Sequence, residues 1–347
     1  MSPEALLSRD ENNFNLIRVV AAFCVLISHS YTLATGDPQQ EPFRLSMGSS
    51  LGTLSVDVFF LISGFLVSAS AHRRSVYHYL RSRFLRVYPA LLVMLGVTVL
   101  CLCGYITSLS YSAYVSDPVT VTYLFQNSIL LTGVSYYLPG VFEGNPYPLA
   151  VNGPLWTLVV EVRLYLLLGA LFWVLSHFAI IRQRAEKWVV LMMAAGSLAL
   201  LLHAHFISGA STYWFRLYTM FWFGAALFCW RESIQISTAL VIASVCILLL
   251  AVLFAPARYF LPSWVIAMPI LVMWGAALSL SWLRRYNQVG DYSYGIYIYA
   301  FPIQQTIVWA LGGVSPEALI VLTAIFTIPL AVASWHFIEK PTLARKG

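Results

Sequence analysis

Apolar runs roughly 20 residues long, separated by short polar connections, repeat from one end of this chain to the other. This is the pattern of helices that cross a hydrocarbon layer about 30 Å thick. The runs predict ten spans, near 14–35, 51–71, 88–108, 156–178, 188–207, 214–230, 237–255, 262–282, 292–312 and 317–337. The run at 214–230 is short for a span. One long connection, 109–155, is rich in Tyr, Pro and Gly, long enough to act as a lid or an acceptor-binding surface. Within it 119–131 predicts a short helix, interfacial or re-entrant. The expected fold is therefore all-α: a polytopic membrane bundle of about ten transmembrane helices forming a single domain over 1–347.

Composition agrees. Hydrophobic residues make up 60% of the chain, charged residues 10%, and the mean hydropathy is +0.77. Soluble domains carry roughly 25% charge, so the lipid bilayer is the first partner. The polar, acidic start MSPEALLSRDENN predicts no cleavable signal peptide. With the N-terminus in the cytoplasm, the cytoplasmic segments hold Arg9, Arg73, Arg74, Arg81, Arg83, Arg86, Arg182, Arg184, Lys187, Arg231, Arg284, Arg285, Lys340, Arg345 and Lys346. The other side holds Arg44, Arg216 and Arg258, while Arg18 and Arg163 lie within spans. Such asymmetry follows the positive-inside rule and predicts two cytoplasmic termini. It also accounts for the net charge of +6 with no nucleic-acid partner. The five cysteines all fall in apolar spans without metal-ligand spacing, so they read as packing residues, and no metal site is expected.

Candidate chemistry lies in the polar exceptions. Arg18 and His29 sit in an otherwise apolar first span. Eleven residues at about 100° each return to nearly the same azimuth, so both point to one face, about 16 Å apart along the axis. Ionisable groups at such depth are functional candidates by default. The structural counterpart is a snorkelling Arg18 and a hydrogen-bonded His29. Asp57 and Glu161 each lie about two turns below the outer surface, near the level of His29. A carboxylate beside a neutral imidazole fixes its tautomer and stabilises the imidazolium; the alternative is an ion-pair cluster that only holds helices together. On the inner side, Arg83 and Arg86 are neighbours on a helix face. Their forked guanidinium groups suit phosphate recognition, or else serve as a topology signal or anionic-lipid contact.

These residues fall in an ordered set of blocks. Arg18 and His29 come first, then Asp57-Val58-Phe59-Phe60-Leu61-Ile62-Ser63-Gly64-Phe65, then Arg83-x-x-Arg86 followed by Val87-Tyr88-Pro89-Ala90. Leu155-Trp156-Thr157-Leu158-x-x-Glu161 with Tyr165, Tyr292-Ser293-Tyr294-Gly295-Ile296-Tyr297 and Ile338-Glu339-Lys340-Pro341 complete it. In this order, over roughly 14–341, the chain resembles the membrane-bound acyltransferase 3 family of bacterial glycan O-acyltransferases. Two positions depart from that pattern. Ala300 stands where many relatives carry His, and Arg163 stands where an uncharged polar residue is expected.

The resemblance implies transfer of an acyl group, most often acetyl, from cytoplasmic acyl-CoA to a hydroxyl of a cell-envelope or exported carbohydrate, in the bacterial inner membrane. It links Arg18, His29, Arg83 and Arg86 to activity, with Glu161 at the matching position of the tryptophan–glutamate block. Joined with the depth of the polar groups, it makes His29 the expected base, Asp57 or Glu161 its orienting carboxylate, and Arg18, Arg83 and Arg86 the expected acyl-CoA contacts. Asn152, Trp156 and Tyr165 are acceptor-side candidates. No bound cofactor is expected, acetyl-CoA being a substrate, and no appended extracytoplasmic hydrolase-like domain is expected. A proton-coupled transporter or a glycan flippase is the alternative reading, since intramembrane His, Asp and Glu also build proton relays.

Overall fold

The computed structural model describes residues 2–8, 12–177, 182–280, 285–286 and 289–345, without the side chains of 182–184. Of the residues that carried the orientation argument, Arg9, Arg284, Lys346 and the side chains of Arg182 and Arg184 lie outside the described residues. Among the described residues the chain is helical, with no strand. Long helices occupy every predicted position: α1 (Phe14–Thr35), α2 (Leu51–Arg73), α3 (Val76–Gly96), then, after the long connection, the rest. That connection contains α4 (Pro118–Ile129), the short helix expected there. Beyond it come α5 (Leu155–Ser176), α6 (Arg182–His203), α7 (Tyr213–Cys229), α8 (Thr238–Leu253), α9 (Phe260–Ala277), α10 (Ser293–Leu311) and α11 (Pro316–Ser334).

Seven stretches among the described residues are long and apolar enough to cross a membrane. The helices at the other three expected positions are α7 with 17 residues, α8 with 16 and α10, whose 19 residues include three tyrosines and two glutamines. α3 begins twelve residues before the apolar run that predicted it, so Arg81, Arg83 and Arg86 ride on the same helix as the span. Helix starts follow from local chemistry. Ser50, Ser237 and Ser315 accept hydrogen bonds from Thr53, Leu240 and Ala318 amides, and Asp117 accepts from Val119 with Pro118 next to it.

The helices form two compact units. The first comprises Met1–Ala21, Phe43–Leu80 and Leu164–Asp291; the second comprises Ala22–Pro42, Arg81–Arg163 and Tyr292–Gly347. In the first, α2 and α7 lie backbone to backbone. A Cβ on Gly64 would collide with the Phe221 carbonyl, and one on Gly224 with that of Leu61. Small residues at such a crossing let dispersion contacts form in a setting where lipid removes the hydrophobic drive between helices. Asn13 closes the end of α9: its amide donates to the Ala276 carbonyl at 2.9 Å, and its side chain to Gly275 and Leu278 carbonyls. In the second unit, Leu33, Phe301, Ile307, Val308 and Leu319 form an apolar core.

The α2–α7 crossing predicts that Gly64→Leu and Gly224→Leu each abolish the monodisperse folded species in size-exclusion chromatography. Gly196→Leu, at a helical position where an added Cβ meets nothing within 4 Å, should leave the elution profile unchanged.

Candidate active site

His29 lies in the C-terminal half of α1, within the second unit. Its Nδ1 stands 3.6 Å from Oε1 of Glu41, a carboxylate in the loop that follows α1. Glu41 is buried, and Thr32, one turn beyond His29, donates to the same Oε1 at 2.9 Å. The imidazole packs edge-on against Phe301 of α10, ring centroids 5.5 Å apart. The backbone around it is fixed by Gln304, also of α10, which donates to the Leu26 carbonyl at 2.8 Å and to Ser30 Oγ at 2.7 Å. Nδ1 thus faces a carboxylate, while helix and loop are held by buried hydrogen bonds.

The two carboxylates expected near His29 have surroundings of their own. Asp57, in the first unit, is completely buried and forms an ion pair with Arg216 of α7. Trp264 Nε1 donates to it at 2.9 Å, and Arg216 also reaches Ser49. Four elements converge on one charge pair, so the orienting role expected of Asp57 has a structural competitor. Glu161 belongs to the second unit, one turn along α5 from Thr157. Thr157 and Tyr297 of α10 share a hydrogen bond of 2.6 Å, and Glu161 acts electrostatically on the same tyrosine. The carboxylate that the structure sets beside His29 is Glu41.

The arginines are also partnered. Arg18 forms an ion pair with buried Asp291 at 2.5 Å, its guanidinium 6.0 Å from the Phe59 ring centroid. Arg86 pairs at 3.3 Å with Glu339, which is 2% exposed and accepts a further bond from Ser334 at 3.0 Å. Glu339 ends a π-helical turn, Trp335–Glu339, that continues α11. Tyr294 stacks under the Arg86 guanidinium and donates to the Val87 carbonyl, so the basic block and the terminal block are one assembly. Arg83, three residues away, bonds Ser82 at 3.3 Å.

Two acceptor-side candidates have clear contacts. Pro302 cannot donate to the carbonyl of residue 298, four positions back. Asn152 Nδ2 fills that place, donating to Ile298 at 3.0 Å, while its Oδ1 is buried without a hydrogen-bond partner among the described residues. Tyr165, in the first unit, meets Ser63 at 3.1 Å, and its carbonyl accepts from Tyr79. Trp156 is half-buried in the first turn of α5. Arg163, unexplained by the sequence, donates twice to the Leu131 carbonyl, at 2.9 and 2.6 Å, and so anchors the end of α4.

Comparison with known proteins adds an independent line. Residues 11–336 match the sequence profile of the acyltransferase 3 group, described as an acyltransferase domain. The chain belongs to the acyltransferase 3 family. It is 30% identical to an O-acetyl transferase of Shigella phage Sf6, over 97% of both chains. It is 29% identical to Nodulation protein 10 of Rhizobium leguminosarum bv. viciae, over 97% of this chain and 94% of the relative. No solved structure matches it. This acyltransferase is thus a multi-pass membrane protein.

Sequence reasoning missed Glu41, Arg216 and Asp291 as partners. Glu41 sits in DPQQEP, a stretch that resembles a solvated turn. Its buried position comes only from the fold.

The Arg86–Glu339 pair predicts that Glu339→Leu lowers the thermal midpoint in nanodiscs, with a loss of about 3 kcal/mol for an uncompensated buried charge. The double variant Arg86→Met, Glu339→Leu should recover most of that loss. A double variant no better than the single would show that the pair is not coupled.

Proposed function

We propose that this acyltransferase moves an acetyl group from cytoplasmic acetyl-CoA to a hydroxyl of a cell-envelope or exported carbohydrate, with His29 as general base. The observation that carries this reading is His29 held between Glu41 and Phe301, in a chain whose phage relative is an O-acetyl transferase. A sugar hydroxyl has a pKa far above 7, so attack needs a base within hydrogen-bond reach. Neutral His29 takes the hydroxyl proton on Nε2 as the oxygen attacks the thioester carbonyl. The carbon–sulfur bond then breaks, and the imidazolium returns the proton to the departing thiolate. Glu41 holds Nδ1–H and stabilises the transient positive charge. Direct transfer requires only this base.

The donor is recognised through charge. Coenzyme A carries its phosphates at the nucleotide end, which stays at the inner face near Arg83 and Arg86. Arg86, braced by Glu339, sets the geometry of the pair, and Arg18 acts higher in the first span. Asn152, Trp156 and Tyr165 serve the acceptor side. This reading places the enzyme in the bacterial inner membrane with ten spans and both termini cytoplasmic. In it Glu161 supports the Thr157–Tyr297 pair, and the orienting role belongs to Glu41.

The test uses purified enzyme in nanodiscs with labelled acetyl-CoA and an envelope glycan fraction. His29→Ala should remain folded and lose transfer by 10²-fold or more, the order expected for a missing general base. Undiminished transfer by folded His29→Ala would overturn the assignment. Proteoliposome uptake of a glycan without thioester cleavage would favour a transporter or flippase instead.

A further inference from the structure

The His29 side chain is 28% exposed, yet the residues one turn away from it on α1 are all buried: Val25, Leu26, Thr32 and Leu33. Residues three and four apart share a helix face. A ring turned toward lipid would share its exposure with those neighbours. The opening at His29 is therefore a narrow recess in the second unit, walled by buried side chains.

One wall of this recess is rigid. Phe301 stands edge-on to the imidazole with ring centroids 5.5 Å apart, and it is itself buried. It belongs to the apolar core with Leu33, Ile307, Val308 and Leu319. Gly153 packs on its ring: an added Cβ there would stand 3.1 Å from both Cε2 and Cζ. A close-packed interior leaves such a ring no room to swing aside. Reaction geometry sets what the wall meets. A hydroxyl that gives its proton to His29 lies about 3 Å from the ring nitrogen, and the carbonyl carbon under attack about 3 Å beyond. The first carbons of the acyl group therefore sit within roughly 6 Å of the imidazole, in the shell that Phe301 also occupies.

We propose that Phe301 sets the acyl-chain length, admitting acetyl at His29 and excluding butyryl and longer groups. The inference rests on the proposed function, which supplies an acyl-CoA donor and His29 as base. It adds the residue that selects the group transferred.

The probes are two thioethers, acetonyl-CoA and 2-oxopentyl-CoA, which mimic acetyl-CoA and butyryl-CoA without a thioester to break. Their binding to purified enzyme in nanodiscs is read without turnover. Wild type should bind the acetyl mimic about tenfold or more tightly, the order by which one methylene is discriminated in a shaped apolar site. Phe301→Ala should erase that preference. Phe301→Leu, which leaves a smaller cavity and so a better prospect of folding, should weaken it in the same direction. Leu319→Ala, a cavity in the same core on α11, should keep the wild-type preference, which separates a wall from general loosening. In turnover, the butyryl-to-acetyl ratio of kcat/KM should rise about tenfold in Phe301→Leu. Equal binding of both mimics by wild type would overturn the proposal while leaving donor and base in place. So would an unchanged preference in the folded Phe301 variants, or an equal loss of preference in Leu319→Ala. Wild type that binds neither mimic would instead overturn acetyl-CoA as the donor in the proposed function, and the role of Phe301 with it.

Discussion

A charge in hydrocarbon is stable only beside a partner that compensates it, and this constraint organises both units. Leaving one ionised group unpaired inside a membrane costs several kcal/mol. Here Asp57 meets Arg216, Arg18 meets Asp291, and Arg86 meets Glu339, each pair containing at least one buried member. Each pair also fixes helices that lack a hydrophobic drive to associate in lipid. His29 differs in kind, as does His72 beside buried Glu186 at 3.4 Å. Glu41, the partner of His29, compensates a positive charge that exists only when the ring is protonated. An arrangement that waits for a proton suits a base better than it suits a strut.

Side chains of one helix explain how the second unit positions the His29 ring. Helix α10 carries Tyr297, Phe301 and Gln304 on successive turns. They meet Thr157, the His29 ring and the backbone around His29 in turn. Pro302 interrupts the helix hydrogen bonds in the middle of this stretch, and Asn152 supplies the missing donor. Ala300, where the family resemblance leads to the expectation of His, lies on this same helix beside Tyr299 and Phe301. The long connection contributes through Asn145 and Gln305: the Asn145 side chain donates to the Gln305 carbonyl and to its Oε1, at 3.0 and 2.8 Å.

Apolar runs made the helices legible, because span length is set by bilayer thickness rather than by tertiary detail. The start of α3 was not legible, since Arg81, Arg83 and Arg86 break the apolar run while remaining good helix formers. The short helix expected over 119–131 in the long connection lies at Pro118–Ile129. Candidate residues were visible too, because an ionisable group stands out in an apolar run. Their partners were not. Arg216 is 159 residues from Asp57, Glu339 is 253 from Arg86, and Asp291 is 273 from Arg18. Only packing brings such groups together. Glu41 is close to His29 in sequence, yet its surroundings of Asp, Pro and Gln disguise a buried carboxylate as a solvated turn.

The central claim is that Glu41 holds His29 in its reactive form. The measurement that bears on it most directly is the acetyl-transfer rate of Glu41→Gln against wild type, across pH and at saturating acetyl-CoA. The account predicts a kcat lower by about 10²-fold, an acetyl-CoA KM unchanged, and an altered pH profile in a protein that elutes as wild type. A folded Glu41→Gln enzyme with the wild-type kcat and pH profile would contradict it.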